Sequence, residues 1–168
     1  NVNGFEKISA IKGGDDDLLM HKIINTMHCR SRFICDLDSQ VLSYGPKSIK
    51  EFIYQRLRYA SKTLKFYKFK FISLELKLFL PFLYIINFIF CISIIIICNK
   101  PYMPAYIIII IKVLTDLSLL YYCSYKAKYK FNIVNYILLG ILHPFYIVVF
   151  STIAPFKKIK WKWKFIKY

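Results

Sequence analysis

The chain has 168 residues, 57% of them hydrophobic, with a mean hydropathy of +0.44; it is too apolar for an ordinary soluble domain. Its formal net charge of +16 lies in the second part of the chain: residues 1–54 carry seven basic and seven acidic side chains, whereas residues 55–168 carry eighteen basic and two acidic ones. Lysines beside and between hydrophobic runs are typical of membrane flanks, and this distribution disfavours nucleic-acid binding, which needs a basic face on a soluble domain.

An acidic cluster marks the first predicted helix. Residues 13–19 read Gly-Gly-Asp-Asp-Asp-Leu-Leu, and Leu19, Ile23 and Met27 recur four residues apart, which predicts a helix over 18–27. Carboxylates at a helix N-terminus complement its dipole and cap it, so the three aspartates alone do not require a function. A short strand is predicted at 32–35, followed by a turn at 44–46.

A second helix is predicted from the capping box of Ser48 and Glu51. Its predicted polar face holds an amide, a guanidinium and an aromatic ring, from Gln55, Arg58 and Tyr59, at helical spacing. Its opposite face holds Ile49, Ile53, Leu57, Ala60 and Leu64. Residues 66–71 alternate aromatic and basic side chains, a pattern typical of the membrane interface.

Three apolar runs follow, at 78–98, 105–123 and 133–154, each near the ~20 residues that a spanning helix needs. Lys112 and Asp116 lie four residues apart in the second run and can pair, either as a packing pair or as part of a pathway. Two to three transmembrane helices are therefore predicted. The lysine-rich residues on both sides of this region favour the same membrane face, which three full crossings would not allow. Either one run does not cross fully, or the positive-inside rule fails for the tail. We expect one run to be interfacial or re-entrant, and the candidates are the charged second run and the third, which His143-Pro144 would kink.

Histidine and cysteine spacing predicts no metal site in this chain. The cysteine count is odd, at five, and no pair has C-x-x-C spacing, which indicates reduced thiols. His21 and His28 have no third ligand at suitable spacing. Asp36-Leu37-Asp38 is interpreted as a turn at a strand end.

The order of these features resembles family 2 glycosyltransferases of the membrane-bound kind, such as the cellulose synthase-like, hyaluronan synthase-like and ceramide glucosyltransferase-like enzymes. Gly14-Asp15-Asp16 resembles their acidic motif. Gln55-Arg56-Leu57-Arg58-Tyr59-Ala60-Ser61-Lys62 resembles their Q-R-x-R-W-A-S-K motif, with Tyr59 in place of tryptophan. Asn3-Gly4-Phe5-Glu6 resembles the Gly-Gly-Phe loop that precedes the acidic motif.

The resemblance implies a fold and a set of roles. Residues 1–71 would be the C-terminal part of an α/β GT-A type catalytic domain with an interface helix, 72–156 the transmembrane region and 157–168 a basic tail. Asp16 would be the catalytic base, tuned through like-charge repulsion by Asp15 and Asp17. The donor diphosphate or substrate would contact Gln55, Arg58 and Tyr59, and the acceptor loop would include Gly4 and Phe5.

The family's donor-binding half, with its D-x-D metal motif, would lie before Asn1. The sequence begins with neither an initiator Met nor a signal segment. We therefore expect a fragment that is inactive alone, and a whole enzyme that needs Mg²⁺ or Mn²⁺ held mainly by residues outside this chain. It would be an integral protein of the plasma (inner) membrane with a cytoplasmic catalytic part. Its partners would be a nucleotide-sugar donor, a lipid or glycan acceptor and membrane lipids. The alternative is a small non-enzymatic membrane scaffold or transporter subunit.

Overall fold

The computed structural model describes residues 2–6, 8, 15–32, 34, 36–41, 43–130, 132–157, 159–161 and 164–166. At residues 15, 37, 62, 64, 65, 159–161 and 164–166 only the backbone is described. The five α-helices are α1 (Asp15–Met27), α2 (Ile49–Phe66), α3 (Leu74–Asn99), α4 (Met103–Lys126) and α5 (Ile133–Ile153). Short 3-10 helices lie at Leu37–Ser39 and Ala154–Phe156, and β1 (Ile159–Trp161) pairs antiparallel with β2 (Lys164–Ile166).

The described part of the chain is helical apart from that terminal hairpin, so it shows a membrane protein without the α/β sheet implied by the resemblance. The strand predicted at 32–35 is not found at Arg32 or Ile34, which have irregular backbone, while Phe33 and Cys35 lie outside the described residues. A single extended segment leaves its backbone groups unpaired unless neighbouring strands supply partners. The described residues supply none here.

The N-terminus of α2 has the predicted capping interaction. The backbone N–H of Glu51 donates to the Ser48 hydroxyl at 3.2 Å. The Glu51 carboxylate in turn accepts a hydrogen bond from the backbone N–H of Lys47 at 2.8 Å, one residue earlier than the usual reciprocal partner. One unpaired donor of the first helical turn, the Glu51 N–H, is thereby satisfied, and so is the Lys47 N–H just before the helix.

The chain divides into two compact units, and the first comprises Asn1–Arg32, Tyr44–Phe82 and Phe150–Tyr168. One of its two small cores centres on buried Leu18, which packs in a cluster with Ile8 and Ile72. The buried position in α1 is thus Leu18, whereas Met27, on the predicted apolar face, is 57% exposed. Partly buried side chains complete this cluster: Leu19, Phe66, Phe69, Phe71 and Leu76.

The other core of the first unit joins α2 to the end of α5. Leu57 and Ala154 are buried against each other, with Ala60 and Phe150 packed around them. Among its described side chains, the predicted apolar face of α2 is buried at Leu57 and half-buried at Ala60, while Leu64 lies outside the described side chains. Ile49, at the start of that face, stays 80% exposed.

The second unit comprises Phe33–Ser43 and Leu83–Val149. The Phe90 and Phe145 rings meet edge to face with centroids 6.4 Å apart, and this contact packs α3 on α5. The Ser124 and Tyr136 hydroxyls, from α4 and α5, are hydrogen-bonded at 2.6 Å. The aromatic contact thus joins α5 to α3, and the hydroxyl pair joins α5 to α4.

Three helices are long and apolar enough to cross a membrane: Leu74–Asn99, Met103–Lys126 and Ile133–Phe156. They contain the three predicted runs, and a helix of 26 residues such as α3 is about 39 Å long, more than the ~30 Å hydrocarbon core. Pro81 and Pro144 lie inside α3 and α5 without ending them, as membrane helices tolerate. The chain is therefore a membrane protein by the length and composition of its helices.

Candidate functional site

The acidic motif forms the first turn of α1, which begins at Asp15, three residues before the predicted start. Asp16 and Asp17 are exposed, while the next residue, Leu18, is 1% exposed. Because Leu18 is buried in the cluster with Ile8 and Ile72, the end of α1 that carries the carboxylates is held against this cluster. Gly13 and Gly14 lie outside the described residues, as does the side chain of Asp15.

The predicted acceptor loop is held against α1 by a lysine. Asn3 and Gly4 have φ of +50° and +48°, a left-handed pair that Asn-Gly adopts more readily than other dipeptides. The Lys22 ammonium donates to the carbonyl oxygens of Gly4 and Glu6, at 2.9 and 3.0 Å. These bonds leave the Phe5 ring 48% exposed beside the helix that carries the aspartates.

Lys22 was not among the predicted site residues. The sequence feature that could have identified Lys22 is its position seven residues after Asp15, which puts both residues on the same side of α1. A lysine at this spacing is common on solvated helices, so the pattern alone does not indicate that it binds a loop.

On α2, two guanidinium groups lie close to the Tyr59 ring. The guanidinium carbon of Arg58 is 5.1 Å from the ring centroid and that of Arg56 is 5.7 Å from it. Arg56 also lies 5.0 Å from the centroid of Phe52, one turn earlier. Both distances to Tyr59 are within the range of cation–π attraction, and Arg56 was not among the predicted site residues.

Gln55 adds a buried hydrogen-bond acceptor to this helix. Its Oε1 atom is buried and accepts no hydrogen bond within the part of the chain that the structure describes. Buried polar atoms are almost always hydrogen-bonded. A ligand hydroxyl or a water molecule would therefore satisfy Gln55 at this position.

The helices that carry the two motifs meet near the C-terminus of α2. The ring of His21, one turn after Asp17, lies edge to face with that of Phe66, with centroids 6.3 Å apart. Arg58 precedes Phe66 by eight residues, which is about 12 Å along the helix axis. This contact therefore joins α1 to the end of α2 and not to its polar face.

The described residues bring no group of three or more His, Cys, Asp or Glu side chains together that could hold a metal ion. The ligands of the divalent cation that the resemblance implies were expected mainly outside this chain.

A second polar feature lies in the second unit. Lys112 and Asp116 form the predicted ion pair within α4. Asp116 also lines a cavity of about 110 Å³ between α4 and α5, together with His143 and Gly140. A carboxylate and an imidazole therefore share a cavity inside the apolar helices, which sequence spacing did not predict, because Asp116 and His143 are 27 residues apart in the chain.

Comparison with protein-family models, with curated proteins and with solved structures finds no match to this chain.

Proposed function

We propose that this chain is the C-terminal part of a membrane-bound, inverting glycosyltransferase of family 2. The whole enzyme would transfer a sugar from a nucleotide sugar to a lipid or growing glycan at the cytoplasmic membrane face. The finer fold that accompanies this proposal is an α/β GT-A type domain completed by residues outside the described part of the chain.

The observation that carries the proposal is the polar face of α2. It holds a buried amide oxygen on Gln55 and an aromatic ring close to two guanidinium groups, on a helix whose last residue, Phe66, packs in the same cluster as Leu18 of α1. An amide, a guanidinium and an aromatic ring are the groups that contact hydroxyls, phosphates and sugar rings. The same helix precedes three helices suited to a membrane.

The proposed reaction is a single displacement at the anomeric carbon of the donor sugar. The acceptor oxygen forms a new bond to that carbon while the bond from the carbon to the diphosphate oxygen breaks. The bonding electron pair leaves with the nucleoside diphosphate, and the acceptor proton passes to the Asp16 carboxylate, which acts as general base. Attack opposite to the leaving group inverts the configuration.

The other site residues bind and orient. The Arg58 guanidinium donates planar hydrogen bonds to the departing diphosphate and offsets its charge. The Gln55 Oε1 atom suits a sugar hydroxyl, because a diphosphate has no proton to donate to it. The Tyr59 ring stacks on the acceptor sugar, and the loop at Gly4 and Phe5 lies beside the acceptor.

The reading frame upstream of the Asn1 codon gives the first test. An open frame that encodes a D-x-D motif supports the proposal, whereas a start codon immediately upstream contradicts it. Membranes containing the protein encoded by the whole frame should then release nucleoside diphosphate from a nucleotide sugar when Mg²⁺ or Mn²⁺ is present. No release from any of a panel of uridine and guanosine diphosphate sugars would contradict transferase activity.

A transporter subunit is the second candidate, favoured by the ion pair of Lys112 and Asp116 beside the His143 cavity. Ionisable groups at membrane depth often mark ion or proton pathways. Proteoliposomes containing the chain should then show proton or cation uptake that Asp116→Asn abolishes. Uptake equal to that of protein-free liposomes would contradict transport and would mean that the ion pair of Lys112 and Asp116 has a structural role.

A further inference from the structure

We infer that the basic tail, residues 157–168, lies on the same membrane face as α2 and binds anionic lipid headgroups there. The inference concerns the membrane surface and is independent of the proposed sugar transfer. The first unit contains both α2 and the end of α5.

The end of α5 packs directly on α2. Leu57 and Ala154 are 8% and 2% exposed and belong to one buried cluster. The Phe52 and Phe150 rings meet edge to face with centroids 6.3 Å apart. The 3-10 helix Ala154–Phe156 and β1 also contact α2, so the first residues of the tail are held beside this helix.

The start of α3 packs on α2 as well. Phe66, the last residue of α2, belongs to a cluster that includes Ile72 and Leu76. Ile72 lies two residues before α3, and Leu76 lies in the first turn of α3. Leu57 and Phe66 are nine residues apart, which is about 14 Å along the helix. The bilayer hydrocarbon is about 30 Å thick, so it does not separate the start of α3 from the end of α5.

An even number of membrane crossings must therefore lie between Leu74 and Ile153, and the three apolar helices do not all cross. α4 is the helix best suited to remain at the surface or to re-enter, because it carries the ion pair of Lys112 and Asp116 within its apolar run. The predicted conflict between the two lysine-rich flanks is removed, since both flanks then lie on one face.

The chemistry of the tail specifies its partner. Residues 157–168 contain six lysines and no acidic residue, which complements anionic headgroups rather than zwitterionic ones. They also contain Trp161 and Trp163, whose rings favour the headgroup level. The tail directly follows an apolar helix, which keeps it at the membrane surface.

The first test measures sidedness. In a cysteine-free chain in sealed membrane vesicles, single cysteines replace Tyr44, Tyr102, Tyr129 or Tyr168, and a membrane-impermeant maleimide is added to one side. We expect Tyr44→Cys and Tyr168→Cys to label from one side and Tyr102→Cys and Tyr129→Cys from the other. Labelling of Tyr44→Cys and Tyr168→Cys from opposite sides would overturn the inference.

The second test uses the chain with its native cysteines. Trp161 and Trp163 are its only two tryptophans, so tryptophan fluorescence reports on the tail alone. The chain is placed in nanodiscs of phosphatidylcholine, with or without an equal amount of phosphatidylglycerol. We expect phosphatidylglycerol to shift the emission to the blue and to reduce quenching by iodide, and 1 M salt to reverse both, because the screening length falls to about 3 Å.

Matched variants assign the effect to the tail lysines. Replacing all six with glutamine should abolish the response to phosphatidylglycerol. Replacing Lys126, at the end of α4, together with Lys128 and Lys130, before α5, should leave it intact. Identical emission and quenching in the two lipids would overturn headgroup binding and would indicate that the tail is bound to protein. A response to phosphatidylglycerol that survives loss of the tail lysines would also overturn headgroup binding.

Discussion

The guanidinium carbon of Arg58 lies 5.1 Å from the centroid of the Tyr59 ring, in the same helix and beside it in sequence. Arg56 approaches the same ring at 5.7 Å. Each such contact at a partly exposed site contributes about 0.5–1 kcal/mol. The two arginines therefore restrict the orientation of the tyrosine ring before any ligand binds.

Tyr59 is predicted to act through its ring face. In the whole enzyme, Tyr59→Ala should raise the acceptor KM several-fold and the donor KM by less, because the acceptor would stack on the ring whereas the donor would feel its loss only through Arg58. Tyr59→Phe retains the ring and serves as the control, and Tyr59→Trp should bind acceptor at least as well. Equal rises in both KM values for Tyr59→Ala would contradict a role specific to the acceptor.

Arg58 is predicted to bind the leaving diphosphate. Arg58→Lys retains the charge but loses the planar pair of donors, so it should lower kcat by about tenfold or more. Lys50→Gln, which removes an exposed cation in the first turn of the same helix, is the matched control. Steady-state rates of diphosphate release measure both, and unchanged kcat for Arg58→Lys would contradict the assignment.

Asp16 is predicted to be the general base. Asp16→Asn cannot accept the acceptor proton and should lower kcat by ~10²–10⁴-fold, with little change in α1 because asparagine also suits a helix start. Asp38→Asn, at an exposed residue of the 3-10 helix Leu37–Ser39, should retain full activity. Full activity of Asp16→Asn would show that another group takes the proton.

Lys22 is predicted to position the loop at Gly4 and Phe5. Lys22→Met removes two exposed hydrogen bonds to backbone carbonyls, each contributing about 0.5–1.5 kcal/mol. Amide hydrogen exchange at residues 3–6 should become faster and the acceptor KM should rise, whereas Lys22→Arg should restore part of both. Exchange rates equal to those of the unaltered protein would mean that the loop holds its conformation without the lysine.

Leu57 is predicted to stabilise the packing of α2 on the end of α5. Leu57→Ala leaves a cavity beside Ala154 and should lower the free energy of unfolding by about 2–5 kcal/mol. Ile49→Ala, on the same helix but 80% exposed in the folded chain, should change it by less than about 0.5 kcal/mol. Denaturant titrations in detergent compare the two, and equal effects would contradict the packing of α2 on α5.

The sequence by itself determined the features that depend on neighbouring residues. Apolar runs of sufficient length predicted the bounds of α3, α4 and α5 to within a few residues, because every backbone group in the bilayer must be paired within the helix. Ser48 and Glu51 predicted the start of α2, and the spacing of Lys112 and Asp116 predicted their pairing, since both interactions join residues three or four apart.

Tertiary structure alone decided which of these elements meet. Local patterns do not reveal that Lys22 holds the loop at Gly4, nor that Leu57 faces Ala154 almost a hundred residues later. The strand predicted at 32–35 was wrong at Arg32 and Ile34 for the same reason, because a strand depends on partners elsewhere in the chain. Periodicity specifies which face of an element is apolar, whereas the surface that covers this face depends on contacts between residues far apart in sequence.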